Sequence, residues 1–233
     1  MSDLGLDTEV AGITKFCVHP SRWSSTKTKV GGTKNLDISC IFDLQPDLII
    51  AGKEENVKEQ VEELASSFLV WISDIHNVYE ALHSIEEIGE MTGRIDPAKK
   101  LIAAIKEQFS SIVNRNKTPK VVYLIWRKPY MTVGGDTFIH SMLEAAGFEN
   151  AYQNELRYPS ITIQAIADQQ PDYIFLSSEP FPFSEKHAAD IKRELPGVDV
   201  LLVDGEMFSW YGSRMKYAPS YFLNLWTYGL HGK

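Results

Sequence analysis

The sequence predicts an α/β fold, built as two Rossmann-like α/β lobes bridged by one long helix. Three observations carry this expectation. Short continuous apolar runs alternate with helical stripes, one stretch recurs at a constant offset, and a single long apolar-striped segment separates the two copies. Continuous runs are how strands covered on both faces read, and strand–helix alternation implies mainly parallel sheet.

The first lobe is expected over residues 1–95, with strands at 10–16, 47–51 and 69–72. Val57, Val61, Leu64, Ala65 and Phe68 form one helical stripe, with Asn56 at the N-cap. Val78, Leu82, Ile85 and Ile88 form another, opened by Asn77 with Glu80 at the capping-box position and stopped near Gly93. The bridging helix, 96–116, opens with Asp96 before Pro97, which suits a first helical position. Leu101, Ile105, Phe109 and Ile112 make its apolar stripe, which runs on to Val113. A helix from 97 to 115 would span about 28 Å, and 114–119 reads as a break. The second lobe is expected over 117–233, with strands at 120–126, 172–176 and 198–203. A helix over 137–146 is expected between Asp136 as N-cap and Gly147 as stop.

The internal repeat places 36–54 on 161–179 at an offset of 125, with eight of 19 positions identical. Average composition would give about one. Both copies read helix, then Gln-Pro-Asp, then a buried strand, then a loop ending in Glu54 or Glu179. Two further echoes set 4–7 on 146–149 and 70–74 on 200–204. The strand and helix that precede Gly147 have no counterpart before Leu4, so the N-terminal lobe is expected to lack its first strand and most of its first helix. The change of offset places an insertion within 16–34.

Composition narrows the function. A net charge of −8 over 233 residues argues against nucleic acid as a partner. No apolar run approaches membrane length, so no membrane insertion is expected. Residues 1–7 lack a basic n-region and an apolar h-region, so no export signal is expected in this stretch. Cys17 and Cys40 are the only cysteines, too few for a disulfide scaffold. There is no G-x-S-x-G, P-loop or G-x-G-x-x-G, and no catalytic residue is assigned.

Ligands of open α/β sheets sit beyond the carboxyl ends of the strands. Residues just after the strands are therefore the binding candidates. The first lobe offers Phe16, His19 and Trp23, and the second offers Trp126, Arg127, Tyr130, Tyr158, Glu206, Trp210, Tyr211 and Arg214. Aromatic faces and guanidinium groups suit a large, flat ligand that is partly apolar and partly anionic. Cys17 and His19 are weak metal-ligand candidates, because two donors do not make a site. Glu54 and Glu179, as symmetry mates, would suit docking onto a two-fold partner or lie as solvated loop charges.

Residues 30–33, 36–38 and 45–51, with the helix after Asn56, resemble the first lobe of class III solute-binding proteins. Residues 130–136 with the helix to Gly147 resemble the start of their second lobe, and 204–214 resemble their last cleft loop. These are the helical-backbone metal receptors, and the cobalamin-binding-like members are the nearest in pattern. The resemblance implies a non-enzymatic component of an ABC-type importer that holds a metal chelate in a cleft between its lobes. A corrinoid comes first, then an iron-siderophore or haem, as ligand rather than cofactor. It implies a periplasmic or extracytoplasmic monomer docking a permease dimer through acids, for which Glu54, Glu55, Glu59 and Glu179 are the candidates. Lys58 stands at the nearest match to the usual first-lobe acid. Two alternatives remain open: a metal-dependent enzyme such as a tetrapyrrole chelatase on a similar frame, and a cytoplasmic carrier or sensor of the same ligand.

Overall fold

The computed structural model describes residues 1–112 and 118–230. The chain splits into two compact units, Met1–Asp74 with Gly89–Pro97 (unit 1) and Ile75–Ile88 with Ala98–Lys233 (unit 2).

Unit 1 opens with a 3₁₀ turn, Ser2–Leu4, closed by Gly5 in the left-handed conformation. Strand β1 (Gly12–Ile13) pairs in parallel with β2 (Thr28–Lys29), and helix α1 (Trp23–Thr26) lies between them in the chain. The strand expected over 10–16 is thus only two residues long. Strands β3 (Gly31–Gly32) and β4 (Asn35–Leu36) form an antiparallel hairpin. Helix α2 (Ile38–Leu44) is capped by Asp37, whose carboxylate accepts from the Cys40 N–H at 3.0 Å. Strand β5 (Ile49–Gly52) runs parallel to β6 (Val70–Ser73), with α3 (Lys58–Ala65) between them.

Asn56 does not cap α3 as expected; Val57 holds that position. The Asn56 amide instead accepts from the Gly52 N–H at 2.9 Å and donates to the Thr33 carbonyl at 3.2 Å. It ties the loop after β5 to the hairpin.

Helices α4 (Val78–Met91) and α5 (Ile95–Ser110) each contribute residues to both units. Asn77 caps α4 by accepting from the Glu80 N–H at 2.9 Å, but Glu80 reaches back to the His76 N–H, one residue beyond a regular capping box. The 16 residues of α5 span about 24 Å, shorter than expected. A turn at Ser111 ends the helix, and the expected extension through Val113 to Arg115 falls outside the described residues.

Unit 2 holds a four-stranded sheet in the order β12-β11-β7-β9, parallel throughout. Its strands are β7 (Lys120–Leu124), β9 (Glu149–Asn150), β11 (Tyr173–Ser177) and β12 (Asp199–Val203). A short antiparallel pair joins β8 (Tyr130–Met131) to β10 (Ser160–Ile161). Helices α6 (Phe138–Ala145), α7 (Ile163–Asp168), α8 (Glu185–Glu194), α9 (Glu206–Ser209) and α10 (Ala218–Asn224) follow the strands, with a 3₁₀ turn at Ser213–Lys216 and a final wide turn at Leu225–Gly229. Val121, Val122, Tyr123 and Leu124 of β7 and Ile174, Phe175 and Leu176 of β11 are all fully buried, as strands covered on both faces should be. Phe148 stacks on Trp226 with centroids 4.9 Å apart and meets Phe175 edge-on at 5.0 Å. The N-cap of α6 is Thr137, which accepts from the His140 N–H at 3.2 Å, not Asp136. Asp136 instead accepts from the Arg157 N–H at 2.5 Å.

The repeat survives in backbone detail. β4 and β10, α2 and α7, and the caps Asp37 and Thr162 keep the offset of 125. Gln45 and Gln170, at the same offset, both adopt positive φ, 45° and 49°. Gly5 and Gly147 match at the other offset, with φ of 73° and 84°. Two glutamines held in a conformation that L-residues avoid are a stronger sign of common geometry than matched apolar runs, which any α/β sheet supplies.

Candidate functional site

In unit 2 the loops at the carboxyl ends of β7, β11 and β12 are tied to one another by hydrogen bonds. The Phe181 N–H donates to the Ile125 carbonyl at 3.3 Å, linking the loops after β11 and β7. The Gly205 N–H donates to Ser178 Oγ at 2.9 Å, linking the loops after β12 and β11. Gly205 also permits their close approach: a Cβ there would collide with Ser177 Oγ and lie 2.6 Å from Glu179 Cγ. One platform results, at the strand ends where open α/β sheets bind ligands.

Two clusters stand on this platform. In the first, Trp126 is 40% exposed and meets Phe181 edge-to-face at 5.6 Å. Phe181 packs in turn on Phe183 at 4.8 Å and His187 at 5.3 Å. Arg127 does not reach outward as a free cation. Its Nη2 lies 2.9 Å from Asp190 Oδ2, and both side chains are largely covered. Tyr130 sits in β8 and packs partly buried against the unit 2 core. Tyr158 is half-buried, with the Arg157 guanidinium 5.7 Å from its ring centroid.

In the second cluster, Glu179 Oε1 accepts from Ser209 Oγ and from Trp210 Nε1, each at 2.6 Å. The carboxylate thereby fixes the indole. Arg214 forms an ion pair with Glu206 through Nη2, and its guanidinium lies 5.7 Å from the Tyr217 ring centroid. The buried Arg214 Nε has no hydrogen-bond partner among the described residues. A guanidinium with one edge held by a carboxylate and an N–H left over is suited to an incoming acceptor. Tyr211 is 38% exposed and packs edge-on against Phe138 at 5.7 Å.

The unit 1 candidates diverge. Phe16 is 54% exposed, with Lys15 Nζ 5.1 Å from its ring centroid, and His19 is exposed. Trp23 is a correction: it is 5% exposed, and its indole N–H donates to Asp7 Oδ1 at 2.7 Å. It packs the interior of unit 1 and presents no face to a ligand. The Cys17 thiol donates to the His19 backbone carbonyl at 3.5 Å, not to the imidazole, and burial pushes its pKa up. Among the described residues no three His, Cys, Asp or Glu side chains gather as a metal site. Glu55 and Glu59 are exposed, while Glu54 and Glu179 are half-buried.

Sequence reasoning missed His187 and Asp190. Both sit on α8: Asp190 is 63 residues from the Arg127 it holds, with no spacing signal to connect them, whereas His187 is only four and six residues from the Phe183 and Phe181 rings it packs on. The Phe181–Phe183 pair was readable as part of the loop after β11.

A family model described as periplasmic binding protein matches residues 1–198. The chain belongs to this family. A vitamin B12-binding protein of Vibrio parahaemolyticus is 24% identical over 199 residues, covering 83% of this chain and 72% of the relative. An uncharacterized ABC transporter substrate-binding lipoprotein of Bacillus subtilis is 27% identical over 183 residues, covering 73% of this chain and 57% of its own length. Among solved structures, a periplasmic heme-binding protein from Roseiflexus sp. RS-1 superposes with a TM-score of 0.79 at 17% identity, covering 96% of this chain and 93% of that one. The α/β class and the expected family are both borne out. Members of this family are binding proteins, found in the periplasm or its extracytoplasmic equivalent, and no helix among the described residues is long and apolar enough to cross a membrane.

Proposed function

We propose that the chain is the substrate-binding component of an ABC-type importer and that it holds a metal chelate without transforming it. A corrinoid is the first candidate, haem and iron-siderophores the next. Family membership over residues 1–198 carries the reading, and the relatives named for vitamin B12 and heme binding set the order of ligands. The unit 2 platform supports it: Trp126, Tyr130, Tyr158, Trp210 and Tyr211 supply ring faces for a flat macrocycle, and Arg214 supplies a cation for its anionic groups. Arg127 and Glu206 act as positioning residues through their ion pairs. In unit 1, Phe16 and His19 are exposed and stand as candidates within that unit. Glu55, exposed in the loop after β5, and Glu59, exposed in the first turn of α3, are the acids that dock a permease, with Glu54 beside Glu55. Glu179 is placed to orient Trp210 more than to reach a partner.

The test is titration of the purified chain with cyanocobalamin, haemin and a ferric siderophore, read by absorbance and calorimetry. One-to-one binding of one of them, weakened at least tenfold in Trp210→Ala and Arg214→Ala, is the expected outcome. Absence of binding to all three by folded protein would reject the reading.

A further inference from the structure

We propose that neutral His187 is a positioning residue for Trp126, and that protonation of its imidazole loosens the ring cluster that supports Trp126 on the unit 2 platform. The consequence for ligand binding rests on the reading of Trp126 as a ligand contact; the consequence for Trp126 itself does not.

His187 stands at the third position of α8, after the N-cap Ser184. That position commonly holds Glu or Gln, whose side-chain oxygen accepts from the N-cap amide. Here the acceptor is an imidazole. The Ser184 N–H donates to His187 Nδ1 at 3.0 Å, and Ser184 Oγ lies 3.1 Å from the same nitrogen. A backbone N–H only donates, so Nδ1 offers its lone pair and the ring proton sits on Nε2. A Gln amide oxygen accepts at any pH, but an imidazole nitrogen accepts only while it is unprotonated, and histidine is the side chain that ordinarily changes charge between about pH 5 and 8. Once protonated, Nδ1 turns a second N–H toward the first. The ring then also places a positive charge in the first turn of a helix, at the positive end of its dipole.

This cap carries the loop that supports Trp126. The His187 ring packs on Phe181 at 5.3 Å and on Phe183 at 5.7 Å. Phe181 meets Trp126 edge-to-face at 5.6 Å, and its N–H donates to the Ile125 carbonyl. One turn further along α8, Asp190 holds Arg127. Residues 125–127 are thus held at two points, and one of them depends on the His187 cap. The charges around the ring are engaged elsewhere or face solvent. Asp190 pairs with Arg127 and, at 3.5 Å, with Arg193, while Glu179 is held by Ser209 and Trp210. Glu185 and Lys186 are exposed, and α7 and β12 join the same core as α8 through the apolar Ile166 and Val200. Among the described residues no carboxylate pairs with the ring to hold it in place once the cap is lost.

The test labels the whole chain with 5-fluorotryptophan and follows the ¹⁹F resonance of Trp126, assigned by its loss in Trp126→Phe, from pH 8 to pH 5. In the parent it should shift along a single-proton titration. The Trp226 resonance should stay in place, since that indole donates to the Ala146 carbonyl in the folded unit. His187→Gln keeps an acceptor for the Ser184 amide and cannot titrate, so its Trp126 resonance should stay at the parent's neutral-pH position throughout. His187→Ala should show the acid position at every pH. Cyanocobalamin, haemin and a ferric siderophore are then titrated at pH 7.5 and 5.5. The one that binds should lose at least threefold in affinity at the lower pH in the parent, beyond any change seen in His187→Gln. A Trp126 resonance that does not move with pH in the parent, or a titration that persists in His187→Gln, would overturn the proposal. So would equal loss of affinity in the two proteins. If none of the three chelates binds while the titration appears and vanishes in His187→Gln, the ligand reading fails and the role of His187 stands.

Discussion

Tyr152 offers a test of the unit 2 interior whose sign is opposite to that of most core substitutions. The residue is 7% exposed and packs in the cluster formed by Val122, Leu124, Ile166, Ile174 and Leu176. Its hydroxyl oxygen is buried and has no hydrogen-bond partner among the described residues. Burial, and then the Asp168 and Glu155 carboxylates, push its pKa above the usual tyrosine value, so the phenol stays neutral. A buried hydroxyl without a partner costs about 1–3 kcal/mol. Tyr152→Phe removes that cost and leaves a void of roughly 10 Å³, worth about 0.2 kcal/mol at the usual cavity coefficient. The variant should be more stable by about 1–2 kcal/mol, a rise in Tm of roughly 2–8 °C for a chain of this size. Differential scanning calorimetry at neutral pH measures it. Tyr152→Ala, which also removes the ring, should lose about 3–5 kcal/mol and serves as the packing control. If Tyr152→Phe lowers stability by more than about 0.5 kcal/mol, the hydroxyl has a partner and the reasoning fails.

Other consequences are accessible to the same instruments. Gly205→Ala should weaken ligand binding and lower Tm, because its Cβ has no room against Ser177 and Glu179; unchanged affinity would contradict the close packing of the loops after β11 and β12. Gln170→Gly should raise stability by about 0.5–1 kcal/mol by relieving its positive φ. Gln45→Gly should gain less, since its side chain donates to the Phe42 carbonyl at 2.7 Å; equal gains by urea unfolding would discount that bond. The Trp23 indole N–H, and then Arg22, hold the Asp7 carboxyl below the usual carboxylate range. A depressed folded-state pKa contributes stability above the unfolded pKa near 3.8, lost as pH falls through the folded value. Asp7→Asn should therefore show a shallower loss of stability than the parent below about pH 4, and identical acid profiles would remove Asp7 from the account.

The family motifs were readable because they are local: Gln-Pro-Asp before a buried strand, Gly after a helix, apolar runs at regular distances. So was the duplication, since an offset in sequence needs no coordinates. Caps were less legible. Asn56 and Asp136 have the right chemistry to cap the helices that follow, but each is held elsewhere, Asn56 by Gly52 and Thr33 and Asp136 by the Arg157 amide. A neighbouring residue took the cap position because the long-range bond won.

The candidate site divides along the same line. That aromatic and arginine side chains gather after strands followed from strand grammar alone. Which of them remain available did not. Trp23 turns inward because Asp7, 16 residues away, accepts its N–H, and Arg127 is tethered by Asp190, 63 residues on. Glu179 reads in sequence as a docking acid or a solvated loop charge, yet Ser209 and Trp210 hold it. The sequence by itself determined the α/β class, the internal duplication and the loops that carry the candidate residues, because each is written in short-range periodicity and spacing. The partners of each polar group, and hence which candidate side chains remain exposed, were decided by tertiary structure, because a hydrogen bond or ion pair is chosen by distance in space and the sequence records only order.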